Sequence, residues 1–265
     1  IASNGTPLRS ALRRAGNYYS ETGNDGPYGP LISGEQLTCR QNFTILTTDG
    51  YWNSDGGMTA EPNQDGTLGT DVTDPDGNTV NTYDPVRPPF RDYQANTLAD
   101  MAMRYWKYDL RTDMDNRVPF STANPAFWQH MVTFGISIGL KGTLDPDADM
   151  PGLEAGTINW PNAVADTATA IDDLFHAAVN GHGSFVVAND PQELTEKLQG
   201  ALAAIIGRIG SASNVSANSV SVGDKTRIYQ ASYQTGQWTG EIKALPIIDG
   251  VLSTKEVWLA TAGIP

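Results

Sequence analysis

The chain has 265 residues, with 17 Lys and Arg against 30 Asp and Glu, for a formal net charge of −13. Charged residues make up 18% of it, below the ~25% of an ordinary soluble domain, and no apolar run approaches the ~18 residues of a membrane-spanning helix. The excess of acid, with no Lys/Arg cluster, excludes a nucleic-acid binder, because that affinity starts with phosphate neutralisation. A single cysteine, Cys39, excludes an internal disulfide framework and a Cys-rich zinc site.

Residues 6–19 predict a helix, with Thr6 as its cap, Pro7 at the first helical position, and Leu8, Leu12 and Ala15 on one face. Residues 20–38 are rich in Gly, Pro and Ser and read as loop. Asn42–Thr48 is a β-branched and aromatic run, predicted as a buried strand that ends at Asp49-Gly50. Residues 53–92 string turn dipeptides together and are expected to form an insertion in an α/β domain. Within it, Asp74-Pro-Asp76-Gly77-Asn78 reads as the turn of a hairpin.

Helical spacing returns over 94–109. Met131–Leu140 is predicted as a strand, 141–168 as loop, Ala170–Val179 as a helix and Ser184–Ala188 as a short strand. Pro191–Ile206 follows as a helix, with Asp190 and Glu193 set for a capping box. After Ser211 the pattern alternates apolar and polar residues between turns, which predicts an all-β meander. Strands alternating with helices predict a mainly parallel, three-layer α/β sheet for the first part.

The charge divides the same way. Residues 209–265 hold four bases and four acids, so the whole −13 lies in the first 208 residues. Two units are therefore expected, 1–208 with its insertion at 53–92, and 209–265. The chain opens at Ile1 without Met or a signal segment, and a fragment of a longer, processed protein is expected.

Among side chains with chemistry, no nucleophile–base set, P-loop or dinucleotide fingerprint is present in the sequence, and the expectation is that the chain is not an enzyme. Asp172 and Asp173 are adjacent on a helix, about 100° apart, and do not form a catalytic pair; Asp172 is expected to charge the first turn. His130, His176 and His182 lack ligand spacing and are expected to be structural. Asp145, Asp147 and Asp149 alternate as a calcium loop begins, but Met150 stands where such a loop needs Gly, and Gly156 where it needs an acid. They are weak calcium candidates, with a solvated acidic turn as the alternative.

Asn4-Gly-Thr6-Pro-Leu8 and Thr47-Thr-Asp49-Gly50 together resemble two of the three metal loops of the von Willebrand factor A fold. Thr6 matches the threonine loop and Asp49 the aspartate loop. The Asp-x-Ser-x-Ser loop is not in this sequence. The resemblance implies a metal-ion-dependent adhesion site for Mg²⁺ or Ca²⁺ with Thr6 and Asp49 as ligands. A plain Asp-Gly turn is the alternative.

Longer segments carry a more specific resemblance. CRQNFTILTTDGYWN (39–53), TLADMAMRYWKYDLRTDM (97–114), NPAFWQHMVTFGISIGLKGTL (124–144), AIDDLFHAAVNGHGSFVVANDPQELTEKLQGAL (170–202) and IYQASYQTGQWTGEIKALPI (228–247) follow in order. This set resembles the PilC/PilY family of type IV pilus tip-associated proteins. The resemblance implies a von Willebrand A-like domain lacking its first strand and metal loop. Residues 209–265 would be linker and first strands of a β-propeller, with Trp238-Thr-Gly-Glu-Ile as an early blade strand.

It also implies an adhesin and pilus biogenesis factor that binds minor pilins of the tip complex and host or abiotic surfaces, with roles in twitching motility and virulence. The expected location is the periplasm and cell surface of a Gram-negative bacterium, and Cys39 would then be free to pair with a cysteine elsewhere. Two other classes stay open: a secreted metal-dependent adhesion domain unrelated to pili, and a hydrolase whose site lies outside this sequence.

Overall fold

The computed structural model describes residues 5–29, 36–53, 59–74, 77–80, 83–121, 123–210, 214–217, 227–234, 239–248, 251–252 and 257–259. The chain divides into two compact units, Ile1–Gln199 and Gly200–Pro265. That division falls inside a helix, upstream of the expected border between 208 and 209.

The first unit opens with α1 (Leu8–Tyr19) and β1 (Asn42–Thr48). The insertion carries β2 (Val72–Thr73) and β3 (Thr79–Val80). Then come α2 (Leu98–Lys107), β4 (Met131–Ile138), α3 (Met150–Glu154), α4 (Thr169–Asn180), β5 (His182–Ala188) and α5 (Pro191–Gly210), which runs on past Gln199. The sheet order is β1-β4-β5, all parallel, with Phe43 beside Val132 and Ile136 beside Val186. The crossovers carry α2 and α4, as parallel neighbours require.

β4 lies between two strands and under helices, so seven of its eight residues are buried. That is why MVTFGIS reads as a continuous apolar run rather than an alternation. Leu8 and Leu12 of α1, Leu98, Met101 and Tyr105 of α2, Leu46, Met131 and Leu174 share one apolar core.

The N-terminus of α1 corrects an expectation. The helix starts at Leu8 with Pro7 in the cap position, and no side chain caps it. Thr6 is one residue too early. Its N–H donates to Asn53 Oδ1 at 2.8 Å, and its carbonyl accepts the Asn53 N–H at 3.3 Å. The capping box lies instead at α2, where Thr97 and Asp100 exchange backbone N–H bonds. At α5, Asp190 accepts the Glu193 N–H as expected, but the Glu193 carboxylate takes the N–H of Asn189, one residue before the cap.

The 141–168 stretch is not all loop. Leu153 of α3 and Trp160 pack with Phe175 of α4 into a second cluster. The turn at Asp74 closes a hairpin, with Val72 opposite Val80, and Asp74 Oδ1 accepts the Asn78 N–H at 2.8 Å; Asp76 lies outside the described residues.

In the second unit β6 (Asn214–Ala217), β7 (Arg227–Gln234), β8 (Thr239–Ile248), β9 (Val251–Leu252) and β10 (Trp258–Leu259) are antiparallel, in the order β10-β8-β7-β6 with β9 on β8. Trp238 lies outside the described residues. Among the described residues, no helix is long and apolar enough to cross a membrane.

Candidate functional site

Because β1, β4 and β5 are parallel, their carboxyl ends share one edge, the edge at which open α/β sheets bind ligands. β1 leaves it through Asp49 and Gly50. Thr48 closes this turn: its hydroxyl donates to the Gly50 carbonyl at 2.7 Å and accepts the Gly50 N–H at 3.1 Å. A Cβ on Gly50 would stand 2.9 Å from Thr6 Oγ1, so the Thr6 hydroxyl adjoins the turn that carries Asp49. The Asp49 side chain is exposed and makes no hydrogen bond among the described residues. A carboxylate and a hydroxyl at one edge fit a hard cation such as Mg²⁺ or Ca²⁺; two side chains do not complete its shell.

The loop after β4 is bound to α4. Asp172 accepts the N–H groups of Thr143 and Leu144 at 2.9–3.0 Å and the Thr143 hydroxyl at 2.7 Å. Its carboxylate thus holds this loop, beyond any effect on its own helix terminus. A cavity of about 360 Å³ opens here, lined by Lys141, Asp145, Asp172, Glu193 and Lys197 among others. Asp145 Oδ1 accepts the N–H groups of Asp147 and Ala148, both at 3.0 Å, and Asp149 Oδ2 accepts that of Asp145 at 2.8 Å. These amides hold the Asp145 carboxyl below the usual range. Two of the three candidate calcium carboxylates therefore turn to their own backbone, and α3 begins at Met150.

A second polar region is buried where the insertion packs on α2 and α4. Asp173 of α4 receives the Leu98 and Ala99 N–H groups at 2.9 and 3.1 Å. Asp100 takes the Gln64 N–H at 2.7 Å as well as its capping bonds. Burial pushes Asp173 up to about 7 and Asp100 up to about 6, against those hydrogen bonds. The Lys107 ammonium donates to the carbonyls of Gln64, Thr67 and Leu68 and to the Thr67 hydroxyl, and burial pushes it down to about 8. Buried Glu61 pairs with Arg13 and Arg104, both at 3.0 Å.

Deeper still, Asp65, Asp92 and His176 meet, each with one ligand-type atom within 4.8 Å of the others, and all three are buried. The His176 Nε2–H donates to the Phe90 carbonyl at 2.5 Å, and the ring stacks on Trp160 with centroids 4.1 Å apart. Burial pulls His176 down to about 3 and pushes Asp65 up to about 7, the latter helped by the Asp92 charge. His130 donates from Nδ1 to Trp128 and meets Asn124 at Nε2; His182 meets Ala123 and Tyr83 and stacks on Trp106.

Thr6 and Asp49 thus come to one edge, with Asp145, Asp147 and Asp149 on a separate loop. The buried acids at 65, 92 and 100 escaped the sequence analysis. For Asp65 and Asp92 the local signal is turn chemistry, such as Gln64-Asp-Gly, which reads the same whether the turn is solvated or buried; for Asp100 it is the Thr97-x-x-Asp100 capping spacing, which says nothing of burial.

No protein-family model matches the chain, and no solved structure matches it. Three curated relatives do. The type IV pilus biogenesis factor PilY1 of Pseudomonas aeruginosa strain PAK is 36% identical over 273 residues, covering 90% of this chain and 23% of the relative. The PilY1 proteins of strains PAO1 and UCBPP-PA14 are 34% and 33% identical over 272 and 275 residues, again covering 23% of the relative. The chain therefore spans about a quarter of the length of these relatives. The similarity to these PilY1 proteins extends over about 90% of the chain and supports its kinship with the PilC/PilY family.

Proposed function

We propose that this chain works in type IV pilus biogenesis, as a non-catalytic binding and assembly segment of a larger pilus-associated protein. The observation that carries the reading is the 33–36% identity to the PilY1 pilus biogenesis factors over about 90% of the chain. That similarity favours a pilus role over an unrelated adhesion domain or a hydrolase. A binding role also accords with how the carboxylates are used: Asp100, Asp172 and Asp173 hold backbone amides of helices and turns.

In finer terms, the segment is a von Willebrand A-like module at the pilus tip, exported through the periplasm, where it contacts minor pilins and a host or abiotic surface. Thr6 and Asp49 would hold one Mg²⁺ or Ca²⁺, with further oxygens from elsewhere in the longer protein. The ion would offer a seat for an acidic group of the partner.

The test is a segment exchange. The matching stretch of Pseudomonas aeruginosa PilY1 is replaced by this chain, and surface pilin and twitching are measured against a deletion of the stretch. Recovery of piliation above the deletion is expected. A chimera present at normal level and exported, yet no better than the deletion, would overturn the reading.

A further inference from the structure

Asp65 comes from the first half of the insertion, Asp92 from its last position and His176 from the middle of α4. Nothing in their sequence spacing links them, and the fold brings them together with side chains 0–7% exposed. The tautomer of His176 is set by its surroundings. Nε2 carries the proton, because it faces the Phe90 carbonyl at 2.5 Å. Nδ1 is therefore a bare lone pair, and it faces Asp92 Oδ2 at 3.7 Å. Two acceptors oppose each other at a distance too long for a shared proton. Asp65 Oδ2 stands 3.7 Å from the other ring nitrogen, Nε2.

A second observation is independent of the trio. Asn180, wholly buried one turn along α4, donates from Nδ2 to Asp65 Oδ2 at 2.9 Å. The carbonyl oxygen of that same amide has no hydrogen-bond partner. A buried acceptor without a donor costs on the order of 1–3 kcal/mol, and here it belongs to an amide that contacts Asp65 of the trio. The Lys107 ammonium does not resolve this, since it is spent on the Gln64, Thr67 and Leu68 carbonyls and the Thr67 hydroxyl. The collection of acceptors lacks a cation.

We propose that Asp65, Asp92 and His176 bind a zinc-type divalent transition metal that staples the insertion to α4. Metal bonds of about 2.0–2.2 Å place neighbouring tetrahedral ligand atoms roughly 3.3–3.6 Å apart; the Nδ1–Asp92 Oδ2 pair at 3.7 Å is close to this, and the ligand-type atoms of all three residues lie within 4.8 Å of one another, so Asp65 closes the remaining gap when the metal binds. Two carboxylates and one imidazole in a buried site of low ligand number suit zinc better than Ca²⁺ or Mg²⁺, which require six or more oxygens. The His176 Nε2–H on a backbone carbonyl is the outer bond that metal-ligating histidines make to fix the ring. Asn180 Oδ1 or a water completes the shell. The site is separate from Thr6 and Asp49, and the proposal does not depend on the pilus reading.

The chain of 265 residues is purified without chelator, and its metal is measured by elemental analysis. It is then stripped and titrated with Zn²⁺ and with Co²⁺. We expect about one metal per chain, a melting temperature at least about 5 °C higher with zinc than after stripping, and an intense visible cobalt spectrum of low coordination number. Asp92→Asn, which keeps shape and burial, should weaken cobalt binding at least about tenfold, and His176→Gln should abolish the spectrum. If His176→Gln does not fold, wild type and Asp92→Asn decide. Less than about 0.1 zinc per chain after titration, no thermal shift, or a weak cobalt spectrum indifferent to Asp92→Asn would overturn the site.

Discussion

The carboxylate of Asp173 on α4 accepts the backbone N–H of Leu98, the first residue of α2, at 2.9 Å. Its other oxygen takes the Ala99 N–H at 3.1 Å. Two amides that a helix start leaves without partners are thus satisfied by a side chain from another helix, and the carboxylate sits at the positive end of the α2 dipole. This contact ties the helices on either side of β4 into one layer.

A pH dependence follows from it. Burial raises Asp173 to about 7 and Asp100 to about 6, above the ~3.9 of an unfolded chain, so the folded state binds protons more tightly. Stability from these groups is full below about pH 4 and falls as the pH rises to about 7. The contribution of these groups to the unfolding free energy, read from urea melts of stripped protein, should drop between pH 5 and pH 7.5 by an amount on the order of a few kcal/mol at most, against the opposite slope of His176, which burial holds neutral. Asp173→Asn should therefore be less sensitive to rising pH than wild type; identical pH slopes in the two proteins would mean that the two amides keep Asp173 ionised.

Asp172, the neighbouring acid, grips a different element. Asp172→Ala removes the acceptor for the Thr143 and Leu144 N–H groups and the Thr143 hydroxyl. A loss of about 1–3 kcal/mol is expected, with faster amide exchange at 143–144 than elsewhere in the unit. Unchanged exchange there would show that the clamp is idle.

Gly16 is where α1 meets α2. A Cβ at this position would lie 2.3 Å from Tyr105 Cγ, and Tyr105 is itself held by its hydroxyl bond to Asn17 at 2.7 Å. Gly16→Ala should therefore destabilise by about 1–3 kcal/mol despite the better helix propensity of Ala. Calorimetry that finds the variant more stable would mean that the ring moves freely.

Lys107→Met keeps the stem and deletes the ammonium that holds the 64–68 turn. Three carbonyls lose their donor, and the melting temperature should fall by about 4–8 °C, equivalent to about 2 kcal/mol in a unit of this size. Limited proteolysis should then open the insertion first; a cut elsewhere would count against this role for Lys107.

In the longer protein, Asp49→Ala is expected to reduce the thermal stabilisation given by Mg²⁺, with Thr6→Ala doing so less. Melting with and without Mg²⁺ measures this. No difference from wild type would leave Asp49 as a turn residue only.

The sequence by itself determined the elements whose signal is local. The apolar run Met131–Ile138 had to be a strand covered on both faces, and the apolar face of α1 had to be a helix seeking a sheet. Asp49, at the end of a strand, had to leave the sheet at an edge. The family segments were readable for the same reason, being contiguous.

Tertiary structure decided the rest. Thr6 looks like a cap in sequence, but its backbone groups pair with Asn53, 47 residues on, and Pro7 takes the cap position. The insertion reads as a loop of turns, because Asp65 and Asp92 are ordinary surface residues by type, as is Lys107 of α2. They are buried here because partners distant in the chain meet their polar atoms: Asp65 accepts the Asp92 N–H and the Asn180 amide of α4, and Lys107 donates to the Gln64 and Thr67 carbonyls. Whether a polar side chain is buried depends on partners distant in the chain, and a sequence pattern of period two or 3.6 carries no information about them.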